Sequence, residues 1–265
     1  MRFVHISDLH FCLNISDFPI LRKNLIVALK MLVEDIKSIE EHLDFVAITG
    51  DLTQIGDLSS YKQLKDLLDV LSIPVYVVPG NHDDPMALGE VFKYNDTQHI
   101  NGFSDYHIDI NGVRLLGINS QILGEDVGKL SELQLAWIKG KLESRKFSRH
   151  IILMHHPPFV TGFSGYDETI QLSGRIAFGD VIEKTSSKII ILSGHIHKPF
   201  QAVWRGANCY IAGAPCFQLG NAVPFGTGQQ EIMNEPYAYY IHSIDDDDSH
   251  VVSTRYVNFD YRNYG

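Results

Sequence analysis

The chain has little that would suit it to a polyanion, a bilayer or an oxidising compartment. Its 265 residues carry only 22 Lys and Arg against 32 Asp and Glu, a formal charge of −10 at pH 7. So negative a surface repels duplex DNA, which proteins hold by neutralising phosphates with cations. A nucleic-acid polymer is therefore not the expected partner, although a local cationic site, metal ions included, overrides the global balance. No apolar run approaches the ~18 residues of a membrane span, and no membrane partner is expected. The opening MRFVHISD lacks the basic region and long apolar stretch of a secretory leader. Cysteine is scarce: Cys12, Cys209 and Cys216 form no CxxC pair and read as free thiols in a reducing compartment. The expected location is the cytoplasm.

What is present suits a folded α/β protein. Hydrophobic residues make up 45% and charged residues 20%, and the length fits one domain, residues 1–265, better than two equal ones. Apolar runs at 3–6, 45–49 and 75–78 predict strands. Between them, residues 23–39 place Leu25, Ala28, Leu29, Leu32, Val33 and Ile36 on one helical face, and residues 59–71 predict a second helix capped by Ser59 or Ser60. This βαβαβ order predicts parallel strands with right-handed crossovers. Asn111-Gly112 predicts a hairpin between strands at 106–110 and 113–119. Ser131 with Gln134 opens a helix over 131–142 through a capping-box variant. Buried strands are expected at 150–154 and 189–193, with a helical segment at 181–185 between them. Residues 201–205, 210–212, 237–244 and 251–257 predict antiparallel strands, the last two joined by a turn at 245–248. Segments 157–174 and 216–236, rich in Gly, Pro and aromatics, are longer than ordinary connections and expected to be functional loops. The expected architecture is four-layered, α/β/β/α, with two packed mixed sheets flanked by helices.

Metal-ligand residue types recur where strands end. Asp8 and His10 follow the first strand, Gly50-Asp51 the second, and Gly80-Asn81-His82-Asp83 the third. His155-His156 and Gly194-His195-Ile196-His197 follow the two later buried strands. Ligands gather at the carboxyl ends of strands in open α/β sheets. Carboxylate, imidazole and amide oxygens suit Mn, Fe, Zn or Co, whereas a thiolate site would need cysteines among them. Seven donors, Asp8, His10, Asp51, Asn81, His155, His195 and His197, are too many for one open catalytic ion but fit two ions sharing a carboxylate. His155 is taken over His156 because it directly follows the strand. The glycines at 50, 80 and 194 are expected to let the backbone turn sharply beneath the ions. Any one of these pieces is commonplace; their joint order is not. His5, His42, His99, His107, His150, His242 and His250 read as structural.

In that order, DLH, GD, GNHD, HHPP and GHIH resemble the calcineurin-like metallophosphoesterase superfamily over residues 1 to about 200. The spacing, the HHPP block and the length look like its cyclic-nucleotide phosphodiesterase and glycerophosphodiesterase branches, and GAPCFQL at 213–219 is similar to the former. The resemblance implies that Asp8, His10 and His197 bind one divalent metal, that Asn81, His155 and His195 bind the other, and that Asp51 bridges them. It implies a catalytic group of Asn81, His82 and Asp83. There His82 contacts phosphate and protonates the leaving alkoxide, while Asp83 either orients His82 or serves only as a cap. Asn81, His82 and His156 would contact the substrate or shape its pocket. The implied activity is hydrolysis of a small phosphodiester, a 3′,5′-cyclic nucleotide or a glycerophosphodiester, by a hydroxide that bridges the two ions.

The same motifs also fit a phosphomonoesterase, a lipid pyrophosphate hydrolase or a nuclease, since they grip only the phosphoryl group. They fit a non-catalytic scaffold as well, which has no need of the complete donor set. The absence of basic clusters argues against the nuclease, and the absence of an amphipathic membrane helix argues against the lipid substrate. Selectivity is expected in the two long loops, where Phe159, Phe163, Tyr166, Phe217 and Phe225 stack on a base or merely pack. Those loops could also form a homodimer interface, although nothing in the sequence requires one.

Overall fold

A computed structural model describes residues 1–93, 97–98, 105–144, 146–162, 167, 172–220, 232–233, 236–247, 249–257 and 259. In chain order the first half runs β1 (Arg2–Ile6), α1 (Leu25–Lys37), β2 (Phe45–Thr49), α2 (Leu58–Leu68), β3 (Val75–Val78) and α3 (Pro85–Val91). It continues with β4 (Thr97–Gln98), β5 (Asp105–Ile110), β6 (Val113–Ile118), β7 (Gly128–Lys129), α4 (Glu132–Leu142) and β8 (Arg149–Met154). The rest comprises β9 (Leu172–Ser173), α5 (Arg175–Glu183), β10 (Lys188–Ser193), β11 (Phe200–Trp204) and β12 (Ala207–Ile211). Last come β13 (Gln218–Leu219), β14 (Ile232–Met233), β15 (Tyr237–Ile244) and β16 (His250–Val257).

Two mixed sheets dominate. One has the order β16-β15-β1-β2-β3, with β1, β2 and β3 parallel as the βαβαβ pattern predicts. The other has the order β11-β12-β10-β8-β6-β5-β4. Strand β12 pairs antiparallel with β11 but parallel with β10, so the expectation of antiparallel tail strands holds on one of its sides only. Strand β15 returns antiparallel to β1.

The alternation along the second sheet shows why it has two covered faces. Leu115, Ile151, Leu153, Ile190 and Leu192 join a cluster with Phe3, Val4, Phe45, Val46 and the α1 residues. Their neighbours Leu116, Ile152, Met154, Ile189 and Ile191 point the other way, against Ile138, Leu142, Phe178 and Ile182 of α4 and α5. Successive side chains on opposite faces are what a strand dictates, and here both faces are apolar because one meets the other sheet and one meets helices. Helix α1 buries the six residues of its predicted stripe. The layers are therefore helix, sheet, sheet, helix.

Local signals account for most helix ends. Ser131 accepts from the Gln134 amide while the Gln134 side chain takes the Ser131 N–H, completing the predicted capping box. Helix α2 starts one residue earlier than predicted because Asp57, not Ser59 or Ser60, is the cap, accepting from Ser60 N at 2.9 Å. The short α3, capped by Asp84 with Pro85 in its first turn, has no counterpart among the predicted elements. Helix α5 begins at Arg175, well before the predicted 181–185 segment. At the hairpin, Asn111 and Gly112 both take positive φ (47° and 78°), as a type I′ turn needs. Phe163, Tyr166 and Phe225, and most of segment 216–236, lie outside the described residues. Among the described residues no helix is long and apolar enough to cross a membrane.

Candidate metal centre

The carboxyl ends of β1, β2 and β3 in one sheet and of β8 and β10 in the other converge on one place. There the seven predicted donors meet. Asp8, His10, Asp51 and His197 form one buried group whose ligand atoms lie within 4.8 Å of one another; His155, His156 and His195 form a second. In the first, His10 Nε2 is 3.1 Å from His197 Nε2 and 3.3 Å from Asp51 Oδ2, and His197 Nε2 is 3.4 Å from Asp8 Oδ1. In the second, Asn81 Oδ1 stands 3.0 Å from both His155 Nε2 and His195 Nδ1, which are 3.1 Å apart. Asp51 Oδ2 links the two, 3.4 Å from His155 Nε2. Donors each about 2.0–2.2 Å from a common ion stand about 3.0–3.5 Å from one another. The spacing fits.

The tautomers fit as well. His10 Nδ1 faces Gln54 Oε1 at 2.8 Å, His155 Nδ1 faces Thr49 O at 2.7 Å and His197 Nδ1 faces Phe217 O at 3.3 Å. An N–H donated to each of those oxygens leaves the Nε2 lone pair aimed at the shared centre, the usual support for a metal-bound imidazole. His195 is turned the other way: Nδ1 faces the centre and Nε2 is buried without a hydrogen-bond partner among the described residues. His156 sits beside this group, its Nδ1 2.8 Å from Ser120 Oγ and its ring 4.6 Å from the His195 ring. Of the pair, it is His155 that meets Asn81 and Asp51.

Without an ion, the carboxylates and imidazoles of the two groups shift one another's proton affinities. Burial would raise Asp51, but the neighbouring His155 and His10 hold it well below the usual carboxylate range. Burial likewise works against a charged His155, yet Asp51 and Asp8 lift it to about 9. His195 and His197 are pushed well below the ordinary imidazole value, first by burial and then by adjacent imidazoles, and stay neutral donors. Burial is also the main reason that Asp8 rises to about 6.

The backbone is strained where the donors attach. Asp8, His10, Asp51, His195 and His197 all have positive φ, between 46° and 74°, a region side chains other than glycine seldom adopt. Such strain gathers at functional sites, where surrounding structure over-determines it. The glycines differ from expectation. Only Gly50 turns left-handed, at φ 96°. Gly80 and Gly194 are there for space: a Cβ would lie 2.2 Å from Asp51 Oδ1 at the first and 1.8 Å from Ser7 Oγ at the second.

His82 and Asp83 separate. The His82 amide donates to Asp51 Oδ1 at 2.9 Å, and Nδ1 faces Gln54 O at 3.0 Å. The Asp83 carboxylate goes elsewhere, accepting from the amides of Leu52, Thr53 and Gly80 and from the Tyr61 hydroxyl. These contacts tie the loops after β2 and β3 to α2, and the cap of α3 is the next residue, Asp84.

Two neighbours, Gln54 and Cys216, have no signal in the sequence, whereas Phe159 and Phe217 are among the predicted loop aromatics. Gln54 holds His10 through its side chain and His82 through its carbonyl. Phe217 lies 4.2 Å from the His197 ring. Cys216 Sγ is 3.6 Å from His197 Nδ1, although sequence order places no cysteine among the donors, and burial keeps that thiol neutral. Phe159 packs against the apolar clusters beneath the site.

The chain is similar to several known proteins. The chain is 28% identical over 226 residues to a glycerophosphodiester phosphodiesterase of Enterobacter lignolyticus, covering 83% of this chain and 79% of that protein. It is 27% identical over 222 residues to a 3′,5′-cyclic adenosine monophosphate phosphodiesterase of Escherichia coli, covering 83% and 78%. In fold it matches a dimetal phosphatase from Danio rerio with a TM-score of 0.68 at 15% identity, over 97% of this chain and 96% of the other. Residues 1–199 match the family model described as calcineurin-like phosphoesterase, and the chain belongs to that family.

Proposed function

We propose that the chain is a binuclear metal-dependent phosphodiesterase for a small phosphodiester, either a 3′,5′-cyclic nucleotide or a glycerophosphodiester. The observation that carries this reading is the pair of donor sets joined by Asp51. Asp8, His10 and His197 would hold one ion and Asn81, His155 and His195 the other, with Asp51 placed to serve both. The nitrogen and oxygen donors suit Mn, Fe, Zn or Co. When bound, two such ions supply a nucleophile from water at neutral pH and neutralise charge developing on the phosphoryl oxygens. The names of the two phosphodiesterase relatives support the substrate class.

The remaining steps belong to side chains. His82 donates Nδ1–H to Gln54 O, which leaves Nε2 as the ring atom available to a substrate oxygen. From Nε2 it gives a proton to the departing alkoxide, the usual work of a general acid. Its amide, hydrogen-bonded to Asp51 Oδ1, fixes the ring next to the bridging carboxylate. Asn81 presents Oδ1 to His155 and His195, and His156 walls the pocket beside them. We place this chemistry in one domain, residues 1–265, supported by the apolar cluster that joins both sheets. A cytoplasmic location is in keeping with three free, buried cysteines.

Hydrolysis of bis(p-nitrophenyl) phosphate and p-nitrophenyl phosphate by Mn²⁺-reconstituted protein, with an EDTA control, tests the reading, because the leaving group is the same in both. Chelator-sensitive turnover favouring the diester is expected. A preference for the monoester moves the function to a phosphatase, and no metal-dependent turnover of either sinks the enzymatic reading.

A further inference from the structure

Asp126 has no place in the donor sets, yet it touches them. Asn81 Nδ2 donates to Asp126 Oδ1 at 3.3 Å, while the other end of the same amide faces His155 and His195. The carboxylate is exposed and lies in a turn whose ends are pinned. Gln121 bridges Gly128, Lys129 N donates to Ser120 O at 2.8 Å, and within the turn Glu125 N donates to Ile122 O at 3.0 Å. The turn also leans on the site at two further points. The Gln121 side chain donates to Asp83 O at 2.7 Å, and Gly128 packs so closely on His156 that a Cβ would lie 2.5 Å from its ring. A negative charge is thereby held at the rim of the metal centre, one amide width from the atoms that face the ions.

We propose that Asp126 is a specificity-determining residue that discriminates by substrate charge, disfavouring the dianionic phosphate of a monoester relative to the monoanionic phosphate of a diester. The inference rests on the phosphodiesterase reading and deepens it. Two dications by themselves attract a dianion more than a monoanion, so the donor sets alone favour the wrong ester. A fixed carboxylate at the rim offsets the second charge. At a separation of roughly 6–8 Å and the water-like screening around an exposed carboxylate, each negative charge on the ligand changes binding by roughly three-fold. Because Asp126 is exposed, the effect falls with salt as the Debye length shrinks to about 3 Å at 1 M. Asp126→Asn keeps an oxygen for Asn81 Nδ2 and removes only the charge.

The test is calorimetric titration at pH 8 of Mn²⁺-loaded wild type and Asp126→Asn with inorganic phosphate and with diethyl phosphate, alongside turnover of the diester and monoester p-nitrophenyl substrates. Asp126→Asn should tighten phosphate roughly ten-fold and diethyl phosphate about three-fold, with the gap closing in 1 M salt. Turnover of the monoester relative to the diester should rise by about three-fold. Equal changes for both ligands, or no change for phosphate, would overturn the charge filter. Absent diester turnover by wild type, together with selective tightening of phosphate in the variant, would sink the phosphodiesterase reading and leave the filter standing.

Discussion

Asp51 Oδ2 and His155 Nε2 stand 3.4 Å apart, although one follows β2 in the first sheet and the other follows β8 in the second. The contact spans the two sheets at their shared carboxyl edge, and Asp51 also reaches His10 at 3.3 Å. One carboxylate thus joins two donor sets that separate strands supply.

Replacing that carboxylate should be severe. Asp51→Asn removes the anionic oxygen that both sets share and should lower diester turnover more than about 100-fold, beyond the range of a residue that only supports a ligand. Steady-state kinetics together with the metal content of the same preparation check this. A near-wild-type rate with metal retained would contradict the bridging role.

His82 is expected to act on chemistry rather than on metal binding. His82→Ala should keep its full metal content yet slow a substrate with a poor leaving group about 100- to 10,000-fold, the span of a positioned general acid. The p-nitrophenyl diester, whose leaving group needs no proton, should slow far less. Equal losses on both substrates, or loss of metal, would instead make His82 structural.

At Gly194 the limit is space. A Cβ there would meet Ser7 Oγ at 1.8 Å and Asp8 Oδ2 at 2.6 Å. Gly194→Ala should destabilise the fold by about 1–3 kcal/mol or more, as overpacked interiors do, and should displace Asp8. Thermal denaturation of the metal-free protein reads the first effect and metal content the second. A variant matching wild type in both would show that the loop yields easily.

Asp105 gives the fold a pH dependence of its own. It is buried, with Oδ1 accepting from Asn119 N at 2.8 Å and Oδ2 without a hydrogen-bond partner among the described residues, and burial lifts its carboxyl to about 7. Since the folded state holds the proton more tightly than the unfolded chain, this contribution is present in acid and is lost as pH rises through about 7. The loss is up to about 4 kcal/mol. Urea denaturation at pH 5 and pH 8 should therefore show Asp105→Asn gaining about 2–4 kcal/mol on wild type between the two pH values. A difference that does not change with pH would contradict the buried charge.

The sequence made the donors legible because ligand chemistry demands particular side chains, and because strand ends are marked by the change from apolar to Gly, Asp and His. Position in the chain alone placed Asp8, Asp51, Asn81, His155, His195 and His197 at strand ends, and the structure brings them together. The parallel β1-β2-β3 core and the capping box at Ser131 followed from equally local signals. What stayed hidden depends on tertiary contact. Gln54 is an unremarkable glutamine until its carbonyl meets His82, and Asp126 is one of many acidic residues until its turn folds over Asn81. The ambiguity at Asp83 could not be resolved in one dimension, because both roles need only a carboxylate near His82. The four donors it accepts from, on β3's loop, the Asp51 loop and α2, are brought together by folding alone.

The central claim is that two ions share Asp51, and counting them tests it most directly. Equilibrium dialysis of chelator-stripped protein against Mn²⁺, with metal and protein quantified in the same sample, should reach two ions per chain in wild type and at most one in Asp51→Ala. Saturation of wild type at a single ion per chain, or an Asp51→Ala variant that still binds two, would contradict it.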